Sequence, residues 1–154
     1  MKMIRKATIK DIKSIHSLLQ YYGEKGVLLS RPLSELYDHV LDFSVYHDED
    51  DDCVIGCCAL QFCWADIAEI RSLAVHPDHE RKNIGSQLTE TVISEAKNFN
   101  THKLFTLTYE PAFFRKFGFR EIDRSMLPLK IWADCITCVK FPDCDEIAMM
   151  KEFS

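Results

Sequence analysis

The sequence predicts an α/β domain, a mixed sheet with helices on both of its faces. Three observations carry that expectation. Short stretches of apolar alternation interleave with stretches of helical period along the chain. One segment, Glu69–Leu88, reads as a strand, a tight basic loop and the first turns of a helix. The length of 154 residues, with 47% hydrophobic and 28% charged, suits one soluble domain spanning 1–154 with a real core.

Each element follows in order. Met3–Ala7 is a short strand. Thr8-Ile9-Lys10-Asp11 has the form of a capping box, and Ile12, Ile15, Leu19 and Tyr22 then recur at helical spacing until Gly23. Pro32 suits the first turn of a second short helix running to about Val40. Phe43–His47 and Cys53–Trp64 are strands joined across the acidic run Asp48–Asp52, a solvated hairpin tip without the glycine or ligand spacing of a metal loop. Ala65-Asp66 turns the chain into the strand Ile67–Val75, which His76-Pro77-Asp78 ends. A helix from about Gly85 to Phe99 carries Ile84, Leu88, Val92 and Ala96 on one face. A strand at Leu104–Thr108, a short helix from Pro111 to Phe117, a strand opened by Gly118-Phe119 and a last strand near Ile147–Phe153 complete the sheet.

Composition narrows the function classes. The formal charge of −5 argues against nucleic acid as the main partner. No apolar run has transmembrane length, and Met1–Lys6 lacks the apolar stretch of a secretory signal, so no membrane role is expected. Seven cysteines, an odd count without a signal sequence, point to a reducing cytoplasm. Cys53, Cys57, Cys58 and Cys63 are expected to pack as small apolar groups. Cys135, Cys138 and Cys144 form C-x2-C-x5-C, either three reduced thiols or part of a structural zinc site whose fourth ligand (Asp143, Asp145 or His102) is not obvious. No cysteine sits in a nucleophile motif with a paired histidine, so a covalent acyl-enzyme is not expected and no metal is required.

Chemistry concentrates between the central strand and the helix after it. Arg81, Lys82, Asn83, Ile84, Gly85 and Ser86 put two cations, a residue tolerant of positive φ and a glycine beside first-turn N–H groups that have no intrahelical acceptor. Those donors and the positive end of the helix dipole make an anion site of pyrophosphate size.

This loop resembles the acetyl-CoA motif of the GNAT N-acetyltransferase superfamily, Q/R-x-x-G-x-G/A, with Gly85 at the last position, Asn83 for the first glycine and Glu80 for the leading residue. Pro111-Ala112-Phe113-Phe114-Arg115-Lys116-Phe117-Gly118-Phe119 is similar to the family's F-Y-x-K-x-G-F segment, where the helix flanks the thiol end of CoA. Phe114 stands where many members carry the tyrosine that protonates the leaving thiolate; Tyr109 and Thr108 are the nearest hydroxyls to replace it. Leu28–Leu36, Ala68–Val75 and Leu127–Met149 look like short amino-acid N-acetyltransferases and the acetyltransferase domain of N-acetylglutamate synthase.

The resemblance implies a GNAT fold and transfer of acetyl from acetyl-CoA to an amino-acid α-amine, with L-glutamate, at the first step of arginine biosynthesis, the leading acceptor. It places acetyl-CoA on Arg81–Ser86, on Phe113, Phe114 and Lys116, and on backbone N–H groups of Leu73, Ala74 and Val75. Glu69 is the candidate base; a solvent-facing carboxylate at a strand start is its bland alternative. A dicarboxylic acceptor needs cations, and an arginine's planar fork matches a carboxylate best, so Arg31, Arg71 and Lys130 are the candidate ligands. Glu69 and Arg71, two apart in a strand, share a face. A degenerate member that senses acyl-CoA or docks a partner, an acceptor that is another small amine, and a homodimer remain open.

Overall fold

The computed structural model describes residues 3–28, 30–80, 82–127 and 146–153. Among these lie four α-helices and seven strands: β1 Ile4–Lys6, α1 Ile12–Glu24, α2 Leu33–Asp38, β2 Phe43–Asp48, β3 Cys53–Phe62, β4 Ile67–Val75, α3 Ile84–Asn98, β5 Lys103–Thr108, α4 Pro111–Arg115, β6 Arg120–Glu121 and β7 Ile147–Glu152. The strands form a mixed seven-stranded sheet in the order β1-β2-β3-β4-β5-β7-β6. β1 with β2, β2 with β3, and β7 with both β5 and β6 are antiparallel, whereas β4 and β5 run parallel with Glu69 opposite Phe105. A parallel pair needs a crossover, and α3 supplies it.

The chain divides into two compact units, Met1–Leu60 with Ile70–Glu95, and Gln61–Glu69 with Ala96–Ser154. In the first, Ile12, Ile15 and Leu19 of α1 and Leu36 of α2 pack with Phe43 and Val45 of β2 and Cys57 and Ala59 of β3. Burying each such side chain contributes about 1.5–3 kcal/mol, so the three-and-four spacing of α1 is the chief reason it forms. Before it, the Asp11 carboxylate accepts from the Thr8 N–H at 2.7 Å, as the capping pattern requires. The second unit buries Cys63, Ile67, Phe105, Ile122, Leu127, Ala148 and Met150.

Several expectations are corrected. The strand expected through Trp64 ends at Phe62, because the Cys63 and Trp64 N–H groups both reach the Ile67 carbonyl across the turn. Trp64 is consequently 74% exposed. Cys53 is exposed at the acidic tip, while Cys57, Cys58 and Cys63 are buried as expected. The helix expected to reach Phe117 stops at Arg115: Phe117 and Gly118 bond back three residues, and Gly118 takes φ 90°. Pro32 is extended and precedes α2, its carbonyl accepting from the Leu36 N–H at 3.1 Å.

Candidate active site

In the first unit the site grows from a defect in β4. Counting back from the bond between Cys63 N–H and the Ile67 carbonyl, Ile55 should face Val75; its carbonyl instead accepts from the N–H of His76 at 2.7 Å. One extra residue therefore sits in β4, and Ser72, with φ 58°, is its one residue in the left-handed region. A β-bulge of this kind leaves backbone groups outside the ladder and re-aims nearby side chains. The Ser72 carbonyl accepts from Cys57 Sγ at 3.4 Å, and the Ser72 hydroxyl lies 3.4 Å from Arg31 Nη1.

Arg31 is brought there by the loop between α1 and α2. Gly23 allows that loop to fold back, since a Cβ at this position would stand 2.9 Å from the Ser30 Cβ. The Arg31 side chain is only 4% exposed and lies 5.5 Å from the Phe43 ring centroid. Its Nε donates to Glu35 Oε1 at 2.9 Å, Nη1 to Ser72, and the buried Nη2 has no partner among the described residues. Burial, and then the charge of Arg71, pull its pKa below the ordinary arginine value. An unsatisfied guanidinium nitrogen beside a second cation is costly unless an anion joins them.

Around the phosphate-type loop, Asn83 adopts φ 64°, the conformation its replacement of a glycine requires. Its carbonyl accepts from Gln87 N–H at 3.1 Å, the first bond of α3, so the helix begins at Ile84 rather than Gly85. The N–H groups of Ile84, Gly85 and Ser86 precede that bond, at the first-turn positions where an α-helix leaves its donors without intrahelical acceptors. Lys82 Nζ lies 3.3 Å from His79 Nδ1 at the mouth of this turn. Ala74 is buried, with Leu73 and Val75 half-buried on either side.

In the second unit Glu69 is 7% exposed, so the solvent-facing alternative is overturned. Thr108 is also buried, and its hydroxyl oxygen accepts from the Glu110 N–H at 2.8 Å, which leaves its proton available to another acceptor. Tyr109 is half-buried beside it in sequence. Phe114 is 4% exposed, edge-on to Phe113 (5.1 Å between centroids) and Phe119 (5.4 Å): this is core packing. Lys116 Nζ sits 4.9 Å over the Phe113 ring.

Arg81, Lys130, Cys135, Cys138 and Cys144 lie outside the described residues. Among the described residues no group of three or more His, Cys, Asp or Glu side chains could hold a metal ion, and no helix is long and apolar enough to cross a membrane. Complete burial pushes the Cys57 thiol up to about 12 and the Cys58 thiol upward as well, so both stay protonated and non-nucleophilic. Sequence reasoning missed Ser72, an ordinary strand residue until β3 pairs with β4. It also missed Tyr22, counted only as an apolar position of α1, whose hydroxyl reaches Glu80 at 2.7 Å.

Comparison with known proteins gives a concordant result. The model of the Acetyltransferase (GNAT) family matches residues 14–119. An uncharacterized N-acetyltransferase of Chlorobaculum tepidum is 37% identical over 96% of this chain and 94% of its own length. An amino-acid acetyltransferase of Mycobacterium tuberculosis is 32% identical over 84% of this chain and 75% of its own. Among solved structures, N-acetylglutamate synthase from Neisseria gonorrhoeae, complexed with coenzyme A and N-acetyl-glutamate, superposes with a TM-score of 0.88 at 27% identity. That match covers 98% of this chain and 35% of the longer synthase.

Proposed function

The chain belongs to the GNAT acetyltransferase family, and from that premise we propose that it transfers acetyl from acetyl-CoA to the α-amine of an amino acid, with L-glutamate the leading acceptor. The observation that carries the acceptor class is Arg31, whose buried guanidinium lies near the Arg71 charge and whose own Nη2 has no partner among the described residues. Nη1 and Nη2 form one edge of the fork, and Nη1 makes a long contact of 3.4 Å to the Ser72 hydroxyl. A carboxylate fits that edge bidentately. The amino-acid acetyltransferase of Mycobacterium tuberculosis and the synthase bound to N-acetyl-glutamate support the same acceptor class.

Acetyl-CoA, when bound, supplies a thioester. The residues assigned to it are Lys82–Ser86 and Arg81 for the phosphates, backbone groups of Leu73–Val75 for the pantetheine, and the α4 segment with Phe113 and Lys116 for the thiol end, Phe114 being taken up in core packing. The fit rests on the helix start, with Asn83 in the left-handed region ahead of free first-turn donors. Glu69 takes the proton of the amine, directly or through water, so that its lone pair attacks the carbonyl carbon. The nitrogen–carbon bond forms as the carbon–sulfur bond breaks, and the thiolate collects a proton from the Tyr109 or Thr108 hydroxyl or from water. Arg31, Arg71 and Lys130 hold the acceptor's carboxylates. The reduced thiols suit a reducing cytoplasm.

A thiol-release assay with acetyl-CoA and a panel of amino acids tests the reading directly. Arg31→Ala should lower kcat/KM for glutamate by roughly a hundredfold, through KM, while the KM for acetyl-CoA stays near normal. Equal damage to both substrates would make Arg31 a structural residue only. Glu69→Gln should lower kcat by about two to four orders of magnitude and abolish the acid limb of the pH–rate profile. Near-normal turnover of that variant across pH would remove the base from the mechanism. Binding of acetyl-CoA without thiol release in the presence of any amine would favour the sensing alternative, in which the missing tyrosine at Phe114 marks a chain that no longer catalyses.

A further inference from the structure

Glu80 stands where the motif that this loop resembles carries Gln or Arg, and a carboxylate three residues ahead of Asn83 is a poor neighbour for a phosphate. It is exposed and follows the 3-10 turn Pro77–His79. The Tyr22 hydroxyl lies 2.7 Å from Glu80 Oε1 and also against the Val75 carbonyl at the end of β4, so its single proton is shared between these two acceptors. The ring that carries the hydroxyl is itself pinned. Tyr22 meets Tyr21 edge-on at 4.9 Å, and Lys25 sits 4.8 Å over the Tyr21 ring. One phenol thus ties α1, the end of β4 and the approach to α3 together.

We propose that Tyr22 is a positioning residue for acetyl-CoA, anchoring the Glu80 carboxylate away from the first turn of α3 so that the pyrophosphate meets donors rather than a like charge. Burial, and then the Glu80 carboxylate, raise the pKa of the phenol, which keeps it a donor wherever the enzyme works. The inference rests on the reading that the phosphates dock on residues 81–86. It explains how a member of the family tolerates an acid at this position: the charge is occupied, and its side chain is held to α1 rather than swinging toward Ile84–Ser86.

The test is a double-variant cycle on the full chain, with CoA affinity measured by calorimetry and acetyl-CoA kinetics alongside. Tyr22→Phe keeps the ring and its packing but frees Glu80. It should weaken CoA binding about three- to tenfold, a deficit that shrinks at high ionic strength, with kcat at saturating acetyl-CoA little changed. Glu80→Gln alone should bind CoA at least as well as the natural chain, and in the double variant it should restore the affinity lost to Tyr22→Phe. An unchanged CoA affinity in Tyr22→Phe would overturn the proposal. So would a loss that persists when position 80 is Gln, because Tyr22 would then act through Val75 or packing alone. Gly85→Val reads the premise separately: if it leaves CoA affinity intact, the phosphates dock elsewhere, whatever the cycle shows.

Discussion

Ser72 is a β-strand residue held at φ 58° without the freedom of glycine, at a cost of about 1–2 kcal/mol. Strain of this size persists only where the surroundings impose it, here the Ile55–His76 bond and the extra residue it forces into β4. Two substitutions separate the backbone from the hydroxyl. Ser72→Val, β-branched in the left-handed region, should lower stability by roughly 2 kcal/mol or more. Ser72→Gly should remain within about 1 kcal/mol of the natural chain, relief of strain offsetting the extra freedom of the unfolded state. Urea unfolding of both reads the difference, and similar midpoints would mean that the positive φ carries no strain. Both variants remove the hydroxyl beside Arg31, so both should raise the KM for the amino acid several-fold.

Among elements, α3 is the one whose placement matters most to the candidate site, because its first turn is the proposed anion site. It comes close to β3 at Gly56, where an added Cβ would stand 3.0 Å from Leu88 Cδ1 and 3.2 Å from Ile84 Cγ2. Gly56→Ala should therefore cost about 1–3 kcal/mol by overpacking. It should also weaken CoA binding, since the side chain that must give way at Ile84 belongs to the turn proposed to meet the phosphates. A variant that melts as the natural chain does and binds CoA equally well would show that α3 is not held at this point. Elements of this kind were legible in the sequence because the cues are local. The largely apolar run Ile67–Val75 between turn residues marks β4 at both ends, and the stripe Ile84, Leu88, Val92 marks α3. The bulge at Ser72 and the bond from Tyr22 to Glu80 were not legible. Each depends on a partner far away in sequence, 58 positions in the second case, and neither alters the hydrophobic pattern.

For the molecule as a whole, the mixed sheet follows from the order of its elements, but the position of β7 does not. It lies between β5 and β6, antiparallel to both, with Thr108 opposite Ile147 and Arg120 opposite Met150. Arg31 and Glu69 could be picked out early because arginine ahead of proline and a carboxylate at a strand start are visible as residue types. Their burial emerges only when the layers close around them. The insertion of β7 has a consequence for how the chain is made. During synthesis β6 emerges well before the strand it bonds to, and β5 waits with one edge bare until Ile147–Glu152 has left the ribosome. Until then a nascent chain displays an open ladder of backbone donors and acceptors, the kind of edge that recruits other chains. Among the described strands β7 is the latest in sequence, and its arrival both covers the bare edge of β5 and gives β6 its partner, so crowding on the ribosome should trouble this protein most in the seconds before that strand arrives.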